Sequence, residues 1–250
     1  MRVKNIVADI RNDLAIHALP HGKSATQQWY KEKIKCYGVA TPTVRKIAAK
    51  HFRTLEQENQ PLIFRVCEEL LRSGFNEESI IALSFATRTQ ERHTLEDFEM
   101  FESWLKKYVD NWSKCDDLCL HIMNFYLSHH PGIMKQIKSW TRSNNQWVRR
   151  AAAVSFITSM KINGTTSYGV AKGHINDVFA VAMLLMDDKR DLVQKGFGWM
   201  LKAASVTEKK KVYNFLIKHE KNMSRIAFRY ALEHMPPSWR KKAMKPSHMG

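Results

Sequence analysis

Long apolar runs are missing from this chain of 250 residues; the longest is the nine-residue Val178–Met186. That run falls well short of a bilayer core, so no membrane-spanning helix and no membrane partner are expected. Asp9, Arg11 and Asp13 break the first apolar stretch, so no secretory leader is expected either. Cysteine is scarce: four in this length are too few for a disulfide scaffold and fit a reducing compartment. Gly-x-x-x-x-Gly-Lys-Ser/Thr and Gly-x-Ser-x-Gly are both absent, which removes a phosphate-cradling loop and a serine-hydrolase elbow. Gly196-Phe197-Gly198 lacks a third glycine and a preceding strand, so it is not a dinucleotide fingerprint. Cys115 and Cys119 stand four apart with His121, His129 and His130 nearby, yet no second cysteine pair matches them. Two buried helix cysteines explain that spacing, and neither a metal nor a cofactor is expected.

Apolar residues at 44% and charged residues at 26% suit a folded globular chain. What stands out is charge: 40 basic residues against 24 acidic ones leave +16. Residues 1–54 carry net +8, 55–110 net −6, 111–200 net +5 and 201–250 net +9. If the chain curves, the basic segments line one concave surface and the acidic stretch lies mostly on the outside. A one-sided positive field attracts nucleic acid or an anionic membrane surface by long-range attraction and counterion release. The plainer alternative is a basic protein that is merely well solvated.

Strand signals are few, whereas helical periodicity is common. Leu62, Val66, Leu70 and Leu71 stripe Gln60–Ser73; Ile81, Leu83 and Phe85 stripe Glu78–Thr87; Phe98, Phe101, Leu105 and Tyr108 stripe Thr94–Tyr108. Thr41 before Pro42 predicts a capped helix start. Ser79–Ala86, Gln146–Ala153, Asp191–Gly198 and Arg225–Leu232 are tight helices rich in small residues, which lets neighbours approach closely. Their irregular spacing, roughly 30 to 45 residues, overlaps HEAT and armadillo units. The expected fold is therefore all-α, a helical-repeat solenoid of about six helix pairs, with a compact irregular bundle as the alternative. One domain over residues 1–240 is expected, followed by a disordered basic tail at 241–250, with fraying from Arg240 onward. Asn163–Asn176, rich in Gly, Ser and Thr, predicts a loop, with Asn176-Asp177 capping the next helix.

The unusual cluster is Asp110-Asn111-Trp112-Ser113-Lys114-Cys115-Asp116-Asp117-Leu118. Trp112 and Asp116, four residues apart, share one face of a helix. An indole beside a carboxylate is odd for a core and suits a binding cleft. Alternatively, Asp110 or Ser113 caps the helix and Trp112 plugs the core.

Trp112-x-x-x-Asp116, Trp147-Val-Arg-Arg150-Ala-Ala and Gly198-Trp199-Met-Leu-Lys202, in that order, resemble the signature of the AlkD-like DNA alkylation repair glycosylases. Trp29-Tyr30-Lys31, Tyr37-Gly-Val-Ala-Thr41-Pro-Thr-Val-Arg45, and Met223-Ser-Arg225 through His234-Met-Pro236 extend the likeness over most of the chain. The resemblance implies a HEAT-like enzyme that hydrolyses the N-glycosidic bond of cationic N3- and N7-alkylated purines in double-stranded DNA. It implies recognition on a shallow concave surface, with the lesion left largely in the stack. Matched by position, Asp116 is the catalytic carboxylate, and Trp112 and Trp199 are the cleft tryptophans. Arg150 holds the DNA backbone, with Arg149 as fallback should the register slip by one. Trp29 stands where the family more often has tyrosine, and Thr41, Arg45 and Lys202 match backbone-contacting positions. Lys202 replaces the family's usual arginine, and the 163–176 loop looks longer than typical, enough to obstruct or extend the DNA path. The expected protein is a monomer in the cytoplasm, associated with the nucleoid. Two other functions fit the scaffold: a non-catalytic helical-repeat DNA binder and a protein-interaction solenoid. Neither requires Asp116 together with both tryptophans.

Overall fold

A computed structural model describes residues 2–162, 165–171 and 173–244. It is an all-α repeat-like fold interrupted by one two-stranded hairpin. The chain divides into two compact units, residues 1–125 and 126–250.

The first unit contains α1 (Arg2–Ile16), α2 (Gly22–Gln27), α3 (Thr41–Phe52), α4 (Gln60–Arg72), α5 (Asn76–Arg88), α6 (Asp97–Tyr108) and α7 (Trp112–Leu118). Helices α3, α5 and α7 pack in succession as one layer, and α1, α4 and α6 as the other. This is the pairing that a helical repeat requires. The periodic stripes explain it. Asn59 caps α4 by accepting the Leu62 N–H at 2.9 Å, and Leu62, Ile63, Val66, Cys67, Leu70 and Leu71 are all buried. Phe64, Phe101 and Trp104 meet edge to face beneath α6. His93 lies against this cluster, and burial pulls its imidazole down to about 4.

Thr41 is the first residue of α3 rather than its cap; extended Ala40 precedes it and gives no side-chain bond. The acidic stretch is not all on the surface, because Glu77, Glu78 and Glu102 are buried. Glu77 accepts the backbone N–H groups of Tyr37, Gly38 and Val39 at 3.0, 2.8 and 3.2 Å. Glu78 accepts the Arg11 guanidinium and the Tyr37 hydroxyl, the latter at 2.7 Å.

α8 (Asn124–His129) straddles the division between the units. The second unit continues with α9 (Met134–Ser139), α10 (Gln146–Val154), β1 (Ile157–Ile162), β2 (Thr165–Val170), α11 (Ile175–Leu185), α12 (Asp191–His219), α13 (Arg225–Leu232) and α14 (Pro237–Ala243). α12 packs against α10, α11 and α13 and kinks at Glu208, where the backbone leaves helical geometry. Three of the four small-residue helices, in α10, α12 and α13, therefore stack side by side.

The expected loop is corrected here. Thr165–Val170 is a strand, paired antiparallel with Ile157–Ile162 from Ile157↔Val170 to Ile162↔Thr165. Residues 163, 164 and 172 of that segment lie outside the described residues. α11 begins at Ile175, so Asn176 and Asp177 do not cap it; Asp177 instead accepts Lys138 Nζ at 2.6 Å. The tail is corrected in part as well. Arg240–Ala243 belong to α14, which Trp239 anchors against Tyr213 at 4.6 Å between ring centroids, whereas residues 245–250 lie outside the described set. Among the described residues no helix is long and apolar enough to cross a membrane.

Candidate active site

In the first unit, the site begins at the cap of α7. Asn111, not Asp110 or Ser113, performs this role: its side-chain oxygen accepts the Lys114 N–H at 3.1 Å. Its amide donates to Asn76 at 3.3 Å and to Asp110 at 2.9 Å, tying α7 to the start of α5. Lys114 is 3% exposed, unusual for lysine, and its ammonium donates to the Gly74 carbonyl and the Asp110 carboxylate. With α7 fixed in this way, Trp112 lies half-buried at its first turn. Its indole N–H donates to the Trp29 carbonyl at 3.3 Å, and its ring stacks on Tyr30 at 5.4 Å with 21° between planes.

Of the two adjacent aromatics, Tyr30 is the one packed against Trp112. Trp29 offers its backbone carbonyl to the site while its side chain stands 71% exposed; the aromatic wall beside Trp112 is Tyr30. Burial raises the Tyr30 hydroxyl, and hydrogen bonds with Ser113 and Asn76 oppose that shift. Two adjacent aromatics in sequence do not reveal which one turns inward.

Asp116 lies one turn after Trp112 and is 9% exposed. Asp117 beside it is displaced upward mainly by burial and also by the Asp116 charge; His121 and Arg45 pull the other way. His121 Nε2 is 3.5 Å from the Asp117 carboxylate. Arg45 is exposed on α3, close enough to act on the Asp117 carboxylate, and Thr41 is exposed one turn earlier. A π-helical turn, Cys119–Met123, follows at once, a local widening often found beside functional residues. Cys115 and Cys119 are fully buried.

The loop leading to Thr41 crosses α2 with little room. A Cβ at Gly22 would lie 1.9 Å from the Gly38 carbonyl oxygen, and Gly38 itself has φ +89°. Only glycine fits both sides of this crossing.

In the second unit, Asn145 caps α10 through the Trp147 N–H at 2.9 Å. Arg149 is engaged: its Nε donates to Asp188, and Nη1 donates to the Ser143 and Asn144 carbonyls at 2.7 and 3.1 Å. Arg150 is buried, and its Nη1 donates to the Leu192 carbonyl in the first turn of α12. It lies over Gly196, where a Cβ would come within 3.2 Å of its Cγ. Gly198 does the same for the other side of α12: a Cβ there would lie 2.8 Å from the Ala227 carbonyl oxygen of α13. The paired glycines thus serve close packing on both sides of α12, and Trp199 follows directly.

Trp199 meets Tyr168 of β2 edge to face, 5.5 Å between centroids at 84°. Lys202, one turn on, pairs with Glu233 at 2.5 Å. Ser167, Tyr168, Trp199, Lys202, Ala203 and His234 line one pocket of about 380 Å³. Sequence reasoning misses Tyr168, because the Gly, Ser and Thr around it predict a loop where the chain forms a strand.

A model of the DNA alkylation repair enzyme family matches residues 10–235. A solved structure described as a predicted DNA alkylation repair enzyme from Enterococcus faecalis shares this fold. Its TM-score is 0.73 at 16% identity, over 87% of this chain and 96% of that one. No curated protein gives a significant match to the sequence.

Proposed function

Because the chain belongs to the DNA alkylation repair enzymes, we propose that it is a DNA glycosylase hydrolysing the N-glycosidic bond of cationic N3- and N7-alkylated purines in duplex DNA. The observation that carries this reading is Asp116, a nine-tenths-buried residue on the same short helix as Trp112, whose indole stacks on Tyr30. An alkylated purine is already a good leaving group, so the chemistry needs little acid assistance. As the bond to the base lengthens, positive charge grows on the deoxyribose. A desolvated carboxylate stabilises that charge without reorganising, and it can accept a hydrogen bond from the attacking water. Water adds to the sugar carbon, the purine departs neutral, and one proton is released.

By position in the family signature, Trp112 and Trp199 each supply a π face to the bound DNA, worth about 0.5–2 kcal/mol apiece. Tyr30 backs Trp112 and keeps its ring in one plane. Thr41, Arg45, Lys202 and Arg150 are assigned to the phosphate backbone, with Arg149 as the fallback; both arginines also make internal contacts, Arg149 with Asp188 and Arg150 with the Leu192 carbonyl.

The test is release of 7-methylguanine and 3-methyladenine from alkylated duplex DNA by wild type and Asp116→Asn. Excision is expected to fall about 10²–10³-fold, the scale for losing one preorganised electrostatic partner, with DNA affinity retained. Equal release by both proteins removes Asp116 from this role. Release by neither favours the non-catalytic binder.

A further inference from the structure

The β1–β2 hairpin builds something that neither α12 nor the family signature contains by itself. Tyr168 is 45% exposed and directs its ring at Trp199, so the two rings form a right-angled corner. The hairpin is held beside Trp199 because β2 packs along α12, the helix that carries it. Ala203 adds a small side chain to the lining, while Ser167 and His234 supply polar edges. At the rim Lys202 is paired with Glu233, and Lys209 lies close enough to act on His234 as a second positive charge. His234 is held below its ordinary value, first by burial and then by Lys202, so it stays neutral near pH 7 and presents one donor and one acceptor.

The corner has aromatic walls, with its charged groups at the rim. It suits a flat heteroaromatic ring that stacks on one wall, meets the other edgewise and hydrogen-bonds along its rim. We propose that Tyr168 and Trp199 form a subsite for one unstacked nucleobase of the bound DNA, with Ser167 and His234 facing the base edge. This rests on the reading that the chain binds DNA, but not on excision. Tyr168 is a specificity-determining residue in this scheme: it favours DNA that already offers an unpaired base over DNA that is fully stacked.

The experiment uses two unmodified duplexes of the same sequence, one fully paired and one carrying a single unpaired adenine bulge. Each is titrated with the full chain at one fixed salt concentration. Wild type is expected to favour the bulged duplex. Tyr168→Ala is expected to reduce that preference by about tenfold, the loss of one base–aromatic stack, while leaving affinity for the paired duplex unchanged. Tyr168→Phe, which retains the π face, is expected to behave as wild type. Absence of any preference in wild type overturns the proposal, as does full preference in Tyr168→Ala. An equal loss of affinity for both duplexes in Tyr168→Ala also overturns it, since the hairpin would then be holding backbone. Neither duplex contains an alkylated base, so failure of the glycosylase reading in the release assay leaves this result intact.

Discussion

Trp112 is fixed by a hydrogen bond from its indole N–H to the Trp29 carbonyl and by the Tyr30 ring, on a helix pinned by Asn111 and Lys114. Trp199 is fixed by what its helix lacks, since Gly196 and Gly198 let α12 lie directly against Arg150 and against α13. One indole is positioned by a polar network with buried carboxylates behind it, the other by backbone proximity. The two arrangements fail differently. A polar network loses orientation when one partner disappears, because the remaining buried donors are left unpaired. Close packing fails when a single methyl group is added.

The largest departure is expected from the polar side. Glu77→Ala leaves the N–H groups of Tyr37, Gly38 and Val39 without their buried carboxylate, at a cost of about 3–5 kcal/mol in denaturant unfolding. A loss below about 1 kcal/mol would mean that water replaces the carboxylate and that the network is not what holds this region. On the packed side, Gly198→Ala must separate α12 from α13 and is expected to cost about 1–3 kcal/mol in the same measurement. If it proves neutral, proximity is not what sets Trp199. The smallest effect sharpens the contrast within the first unit. Tyr30→Leu removes the stack on Trp112 at about 0.5–1.5 kcal/mol, whereas Tyr30→Phe keeps it; equal losses in the two variants would shift the credit to the hydroxyl.

The helices are legible in the sequence because burial follows their period. Leu62, Val66, Leu70 and Leu71 recur along α4, and all four are inside. Asp116 and Trp112 are legible as one helix face because four residues make about one turn. Tertiary structure determines the rest. Glu77 and Glu78 occupy the first turn of α5, where acidic residues ordinarily face water; only the arrival of residues 37–39 and Arg11 makes them interior. The choice of Tyr30 over Trp29 depends on how the chain turns after α2, which composition does not encode. The hairpin does carry a local signal. Ile162 pairs with Thr165, and the intervening sequence is Asn-Gly, the pair most favoured in two-residue hairpin loops. That signal is masked because the small residues of α10 run without a break towards Ile157, and a helical reading absorbs the first strand.

The crossing of Gly22 with Gly38 has a consequence for how the first unit tolerates change. On one side of it the chain runs on to Trp29 and Tyr30; on the other it runs on to Thr41 and Arg45. Because the two backbones touch with no side chain between them, neither segment of the crossing can shift without displacing the other. The aromatic wall and the basic helix are in effect riveted at one point. An ordinary residue at either glycine would therefore be felt as a paired fault, with the placement of the Trp29–Tyr30 segment and that of α3 failing together instead of one at a time.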